Sequence, residues 1–218
     1  MTGPSGRTPN AGFDAAPAAP AGPRALPPQP ALHTERLRLT RFLPSDAPAV
    51  FAYASDPEFA RHVTWAPSRS VADSEAFIRA ALADAAAHVW AVRDAAEARA
   101  ADARAADACA AGAPALGAVE FSLEPGGRGA THYVLARACW GRGLATEAVR
   151  AVLGWAFDAL PELTEVRTTA AAGNAASRRV LENCGFRPVG TEAAHWPKAP
   201  APVPLVVYAL ARGALVRV

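Results

Sequence analysis

The sequence predicts an α+β (mixed α/β) domain, a central mixed, mostly antiparallel sheet of six to seven strands with helices on both faces. Two observations predict it. Short alternating or buried-type apolar runs alternate with stretches of helical period, in the order β-αα-β-β-β-α-β-α-β. The chain has 218 residues, and a folded part of roughly 180 residues would bury about 70% of its unfolded surface, enough for a full core.

The elements follow in order. Residues 1–30 are rich in Pro, Ala and Gly and carry no apolar period. They cannot bury enough surface to offset ordering, so a disordered tail is expected there and the folded domain over 31–218. LHTERLRLTRFL reads as a strand with Leu37 and Leu39 inward and, after a shift, Phe42 and Leu43. Pro44-Ser45-Asp46 is a turn and helix cap, followed by the helix APAVFAYAS and the short helix DPEFARHV. TWAPSRS is a loop, and a helix starting at Ser70 carries Phe77, Ile78 and Leu82 on one face.

Residues 88–94 and 116–124 read as strands. The Ala-rich stretch 95–115 between them has high helix propensity but little bulk to pack, so it is expected to be a mobile excursion on a hairpin. PGGRG is a turn, ATHYVLA the next strand, and LATEAVRAVLGWAFDAL a long amphipathic helix stopped by Pro161. LTEVRTTAAAG is a strand, NAASRRVLENCGF a helix ended by Gly185, and VPLVVYALAR the last strand.

Charge is nearly balanced, +2 from 22 basic and 20 acidic residues, with no run of five like charges, which argues against a general nucleic-acid binder. No apolar stretch is long enough to span a bilayer, and the first twenty residues hold no apolar signal region. The three cysteines, Cys109, Cys139 and Cys184, are odd in number and far apart. They read as free thiols of a cytoplasmic protein.

One stretch carries chemistry. CWGRGLATEA, residues 139–148, follows a strand directly and opens a helix. First-turn amides without intrahelical partners, together with the helix dipole, make an anion site. Gly141 and Gly143 would let a diphosphate reach the backbone, and Arg142 would add charge from the side. A plain tight turn is the structural alternative. The spacing fits neither GxxxxGK[ST] nor GxGxxG, since Thr146 stands where the third glycine would fall. A nucleotide-binding protein is therefore disfavoured.

CWGRGLATEA resembles the acetyl-coenzyme-A pyrophosphate loop of the GNAT acetyltransferases. In their ribosomal-protein N-terminal acetyltransferase (RimJ/RimL-like) branch that loop reads YWGKGYATEA. Three further stretches resemble that branch: TERLRLTRFLPSDA (34–47), NAASRRVLENCGF (174–186), and the ending GTE (190–192) with VVYALAR (206–212). The similarity runs over about residues 32–213 in the family's order.

The resemblance implies a GNAT fold in which strands 130–136 and 164–170 splay to admit the pantetheine arm. It implies that the backbone of Val134, Leu135 and Ala136 pairs with that arm, the Leu135 amide polarising the thioester carbonyl. The amides of Gly141, Arg142, Gly143, Leu144, Ala145 and Thr146 would hold the pyrophosphate. Asn174 would cap its helix and bond the pantetheine arm, and Ser177 would lie near the thiol. Many GNAT enzymes carry a tyrosine acid seven residues after the Asn; here that position is Leu181, so Ser177 or water is expected to serve.

The candidate general base is Glu120, mid-strand, with His132 and Glu192 behind it; each has a structural reading, as strand-surface Glu, satisfied His and loop Glu. Cys139 and Cys184 read as packing residues, because no activating base is evident for a covalent mechanism. Trp65, Arg61 and Phe77 fall in the segment that walls the family's acceptor cleft. Trp140 stands where many GNAT loops carry Gln or Arg, and Arg137 replaces the usual Pro.

The expected activity is transfer of the acetyl group of acetyl-CoA to a primary amine, a protein N-terminus or a small molecule, directly in a ternary complex. No metal, nucleic acid or membrane is expected, and a homodimer is left open. The alternative is a non-catalytic acyl-CoA-binding sensor or interaction module.

Overall fold

The computed structural model describes residues 26–105, 112–124 and 126–217. Eight strands form one sheet: β1 (Leu32–His33), β2 (Leu37–Arg41), β3 (Ala87–Asp94), β4 (Gly117–Glu124), β5 (Arg128–Leu135), β6 (Glu165–Ala171), β7 (Arg187–Ala194) and β8 (Val203–Ala211). Their order is β1-β2-β3-β4-β5-β6-β8-β7, and every pairing is antiparallel except β5 with β6.

The period-2 alternation of these strands feeds two cores. Leu37, Leu39, Trp90, Val119, Phe121 and Val166 face helices α5 (Leu144–Ala159) and α6 (Ala175–Cys184). Val89, Ala91 and Ala118, the intervening positions, face α1 (Ala47–Ala54), α2 (Pro57–Ala60) and α3 (Val71–Ala83). The LATEAVRAVLGWAFDA pattern explains α5, whose Val149, Val152, Leu153 and Ala156 recur at helical spacing and are wholly buried. A buried ion pair joins the second core to β3. Arg93 donates from Nη1 and Nη2 to the two Asp46 oxygens at 2.8 and 2.7 Å, and Asp46 also accepts the Leu43 amide.

The sheet has eight strands where six to seven were expected. The two-residue β1 is too short to show a pattern, and β7 is exposed at nearly every position, with no apolar alternation to announce it. Leu43, expected inside with Phe42, is 50% exposed while Phe42 is buried.

The ordered chain also starts before residue 31. Leu26 packs on the α5-side core, Gln29 Nε2 donates to the Val89 carbonyl at 3.0 Å, and Trp90 Nε1 donates to the Pro30 carbonyl at 2.8 Å. His88 Nε2 lies 2.7 Å from the Pro27 carbonyl, and the His88 and Trp90 rings pack with Trp155. Residues 1–25 lie outside the described residues.

Part of the Ala-rich stretch is a helix, α4 (Ala95–Ala105), capped by Asp94 Oδ1 through the Ala96 and Glu97 amides. Ala95, Ala98 and Ala101 are buried, so a helix without bulky residues packs through the closeness its alanines allow. An Arg38–Asp102 ion pair adds to this. Residues 106–111 fall outside the described residues.

Candidate active site

The site begins where two strands part. β5 and β6 pair in parallel register only from Arg128/Glu165 to Ala130/Arg167. Beyond that, the sheet opens between Thr131–Leu135 and Thr168–Ala171. In the antiparallel β4–β5 ladder, alternate residues turn their backbone groups toward β4. The Ala136 amide donates to the Leu116 carbonyl at 2.8 Å, which places Val134, in step with it, on the β4 side as well. The Tyr133 and Leu135 backbones therefore face the gap. The expected role of Leu135 is compatible with this; the Ala136 amide is committed to the sheet, and the Tyr133 backbone faces the gap beside that of Leu135.

Two cavities meet at the gap. The first, about 420 Å3, runs along the start of α5 and is lined by Val134, Leu135, Gly141, Gly143, Leu144, Ala145, Thr146, Asn174 and Ser177 among others. The second, about 260 Å3, lies toward α2 and the loop after β7. They share His62, Val63, Tyr133, Val134, Asn174 and Ser177. Of the expected cofactor residues, Ala136 and Arg142 line neither cavity.

The glycine loop is explained first by backbone conformation. Gly141 and Gly143 have φ of 72° and 76°, the left-handed region that L side chains rarely adopt. A Cβ on Gly141 would meet nothing within 4 Å, and one on Gly143 only Arg36 Nη2 at 3.6 Å. The space above both is open. Gly143 is the N-cap of α5 and gives no side-chain cap, which leaves the first-turn amides for a ligand. These features fit the diphosphate of coenzyme A.

A clamp holds the loop in place. Glu147, in the first turn of α5, accepts from Thr34 Oγ1 at 2.5 Å and from the Arg36 amide and Nε at 3.0 and 2.7 Å. Burial raises the Glu147 carboxyl, but the bonds from Thr34 and Arg36 outweigh it and hold the group below its ordinary value. Arg36 Nη1 also donates to the Arg142 carbonyl at 2.9 Å. Arg142 thus contributes its backbone to the clamp.

Asn174 and Ser177 stand at the junction of the cavities. Asn174 Oδ1 caps α6 by accepting the Ser177 amide at 3.0 Å, which leaves its Nδ2 donors for another partner. The Ser177 and Tyr133 hydroxyls lie 2.8 Å apart, and Tyr133 Oη also reaches the Ser177 carbonyl at 3.1 Å. Burial pushes the Tyr133 phenol well above its ordinary value, so it stays protonated.

The candidate bases separate. Glu120 lies directly across the ladder from His132 and lines neither cavity. Burial, then the nearby Asp84 charge, push its carboxyl up to about 7. His132 lines the second cavity, and burial lowers its pKa, so it is a neutral imidazole near pH 7. Glu192 is exposed on β7, across from Leu205. Trp65 lines the second cavity; Phe77 packs edge-on to Phe42, and Arg61 pairs with Glu58 at the surface.

The acetyltransferase (GNAT) domain family matches residues 36–187, most of the chain. The chain belongs to the GNAT acetyltransferase family. Its mixed, mostly antiparallel sheet with helices is the GNAT fold, and three solved structures share it. A Bacillus anthracis GNAT-family acetyltransferase has 21% identity and a TM-score of 0.67, covering 83% of this chain and 98% of its own. The Vibrio cholerae spermidine N-acetyltransferase, in complex with CoA and spermine, has 16% identity and a TM-score of 0.65, covering 83% and 98%. The Microcin C7 self-immunity acetyltransferase MccE, in complex with acetyl-CoA and AMP, has 15% identity and a TM-score of 0.65, covering 82% and 93%. Comparison with curated protein sequences gives no significant match.

Within this GNAT domain, Leu181 is fully buried in the α5–α6 core. A phenol does stand at the junction of the cavities, that of Tyr133 on β5, 2.8 Å from the Ser177 hydroxyl. Sequence reading missed it, although Tyr133 sits two residues before Leu135 and therefore on the same side of its strand. The Arg36–Glu147 clamp was also missed. An acid in the first turn beside an expected phosphate needs a cation, and that was its signal. Trp140 Nε1 donates to the Leu135 carbonyl at 2.7 Å, so the departure at this position has a structural use. Cys139 and Cys184 are buried, and burial raises both thiols, Cys184 to about 12, which keeps them un-ionised and unreactive.

Proposed function

We propose that the protein transfers the acetyl group of acetyl-CoA directly to a primary amine bound in the second cavity, in a ternary complex. The observation that carries this is the meeting of the two cavities at Tyr133, Asn174 and Ser177, beside the parted strands. One cavity suits the cofactor and the other the acceptor, with a hydroxyl pair between them.

Acetyl-CoA supplies an acyl thioester, so transfer forms a C–N bond, breaks the C–S bond, takes a proton from the amine and returns one to the thiolate. The Leu135 amide faces the gap and would donate to the carbonyl oxygen as charge develops there. The Tyr133–Ser177 pair would donate the proton that the leaving sulfur needs. His132 is the neutral group in the acceptor wall that would receive the amine's proton, directly or through water, with Glu120 behind it as the second acceptor. An α-amine, with pKa near 8, needs less help than a lysine near 10.4.

Membership of the RimJ/RimL-like branch is part of the proposal and is supported by the four co-linear motifs. Cytoplasmic residence is part of the proposal and rests on the odd number and wide spacing of the three cysteines. A non-catalytic acyl-CoA module is the alternative and rests on the leucine at 181; the Tyr133 phenol, 2.8 Å from the Ser177 hydroxyl, argues against it. The test is thiol release from acetyl-CoA with a panel of amines and N-terminal peptides. Release matched by N-acetylated product supports transfer. Acetyl-CoA binding with no release across the panel supports the module.

A further inference from the structure

We infer that the acceptor is a single primary amine carried on an aromatic or branched apolar group, and that diamines and polyamines are poor acceptors. This rests on the acetyl-transfer reading above. At about 260 Å3 the second cavity falls just below the usual range for small-molecule sites, so it seats one compact group next to the reacting amine, and the rest of a longer acceptor lies outside it.

Its wall names the chemistry. Two indoles, Trp65 and Trp196, stand in it with Val63, Val134 and Leu205. Trp196 is buried and held from outside: Lys198 Nζ lies 5.5 Å from its ring centroid while donating to the Ala60 carbonyl. That contact ties the loop after β7 to the end of α2 and fixes the indole as a rigid surface. Aromatic faces of this kind bind flat or branched apolar groups.

The polar groups in the wall are His62, His132, His195, Thr64 and Thr168 with the shared Asn174 and Ser177. Among the described residues that line the cavity, none is Asp or Glu. The acids nearest in the chain to His62 and Val63 are already paired, Glu58 with Arg61 at 3.0 Å and Asp56 with Arg137 at 3.0 Å. The acetylated nitrogen must be neutral, so one amine needs no carboxylate. A second ammonium seated in the cavity would be desolvated with no carboxylate in the wall beside it, Glu120 standing behind His132, and this disfavours it. A free amine and the first residue of a polypeptide present the same aromatic or branched group to the wall.

The test measures kcat/KM of the full chain with acetyl-CoA, by thiol release and mass spectrometry of product. The acceptors are 2-phenylethylamine, spermidine, and peptides beginning with Phe, Leu or Asp. The phenyl amine or the Phe and Leu peptides should exceed spermidine by about 100-fold or more. Preference for the free amine assigns a small-molecule acceptor, and preference for the Phe and Leu peptides a polypeptide N-terminus; either supports the inference. Spermidine or the Asp peptide as the best acceptor overturns it while leaving acetyl transfer intact. No acetylated product from any acceptor, with acetyl-CoA still bound, overturns the transfer reading itself. Trp65→Ala should lower kcat/KM for the preferred apolar acceptor about tenfold or more. Its acetyl-CoA Kd should stay unchanged, and Trp65→Phe should restore most of the rate. An unchanged rate in folded Trp65→Ala overturns the role of the indole wall.

Discussion

Replacing the loop glycines separates backbone strain from ligand approach. In Gly141→Ala and Gly143→Ala, the new Cβ meets nothing within 4 Å at 141 and only the end of Arg36 at 3.6 Å at 143, so packing costs nothing. The cost is the left-handed conformation, φ of 72° and 76°, about 1–2 kcal/mol for an L residue. For a domain of this size that lowers Tm by roughly 2–8 °C. The same Cβ stands in the open space where a diphosphate would reach the amides, so acetyl-CoA affinity should fall about tenfold or more. Calorimetric titration and thermal melts measure the two effects. A thioester without a diphosphate, such as acetyl-pantetheine, should lose no more kcat/KM than stability explains. The expected melt with unchanged acetyl-CoA affinity would refute the cradle, leaving the glycines as turn residues only.

Tyr133→Phe removes the hydroxyl that meets Ser177 at 2.8 Å; kcat should fall about 100-fold with acetyl-CoA Kd unchanged, checked by steady-state kinetics and titration. Glu120 is raised from 4.5 to about 7, so the folded state binds its proton more tightly than the unfolded chain. That stabilisation is complete below pH 4.5 and is lost as pH rises through about 7. Glu120→Gln should therefore match wild type near the low end and be more stable at pH 8, by at most about 3 kcal/mol in urea melts. Equal pH dependence of the two proteins would place Glu120 in solvent. Asp46→Ala strands Arg93 in the core, where both partners are 7% exposed, and should cost about 3–5 kcal/mol by denaturant unfolding.

Much of the fold was legible because its strongest elements bury one side. α5 repeats its apolar residues at helical spacing, and β2 alternates Leu37 and Leu39 with Arg38 and Thr40, so local pattern and burial agree. β7 was not legible because nearly all its residues face solvent; its place follows from pairing with β8, a long-range fact no local pattern carries. α4 was half legible. Alanine propensity pointed to a helix, but burial of Ala98 and Ala101 depends on the sheet surface beneath.

The site divides in the same way. The loop glycines and Asn174 were readable because each shapes local backbone: a left-handed turn and an N-cap. Tyr133 with Ser177, and Arg36 with Glu147, were not, since their partners lie 44 and 111 residues apart in the chain. Arg142 was read from its charge alone; the contact of its carbonyl with Arg36, 106 residues away in the chain, was beyond any local pattern.

The most direct test of the account is mass spectrometry of an amine incubated with the protein and acetyl-CoA labelled in the acetyl group. The account predicts labelled acetamide formed in equal amount to released CoA, in wild type and at a much lower rate in Tyr133→Phe. Bound acetyl-CoA with no labelled product from any amine would contradict it.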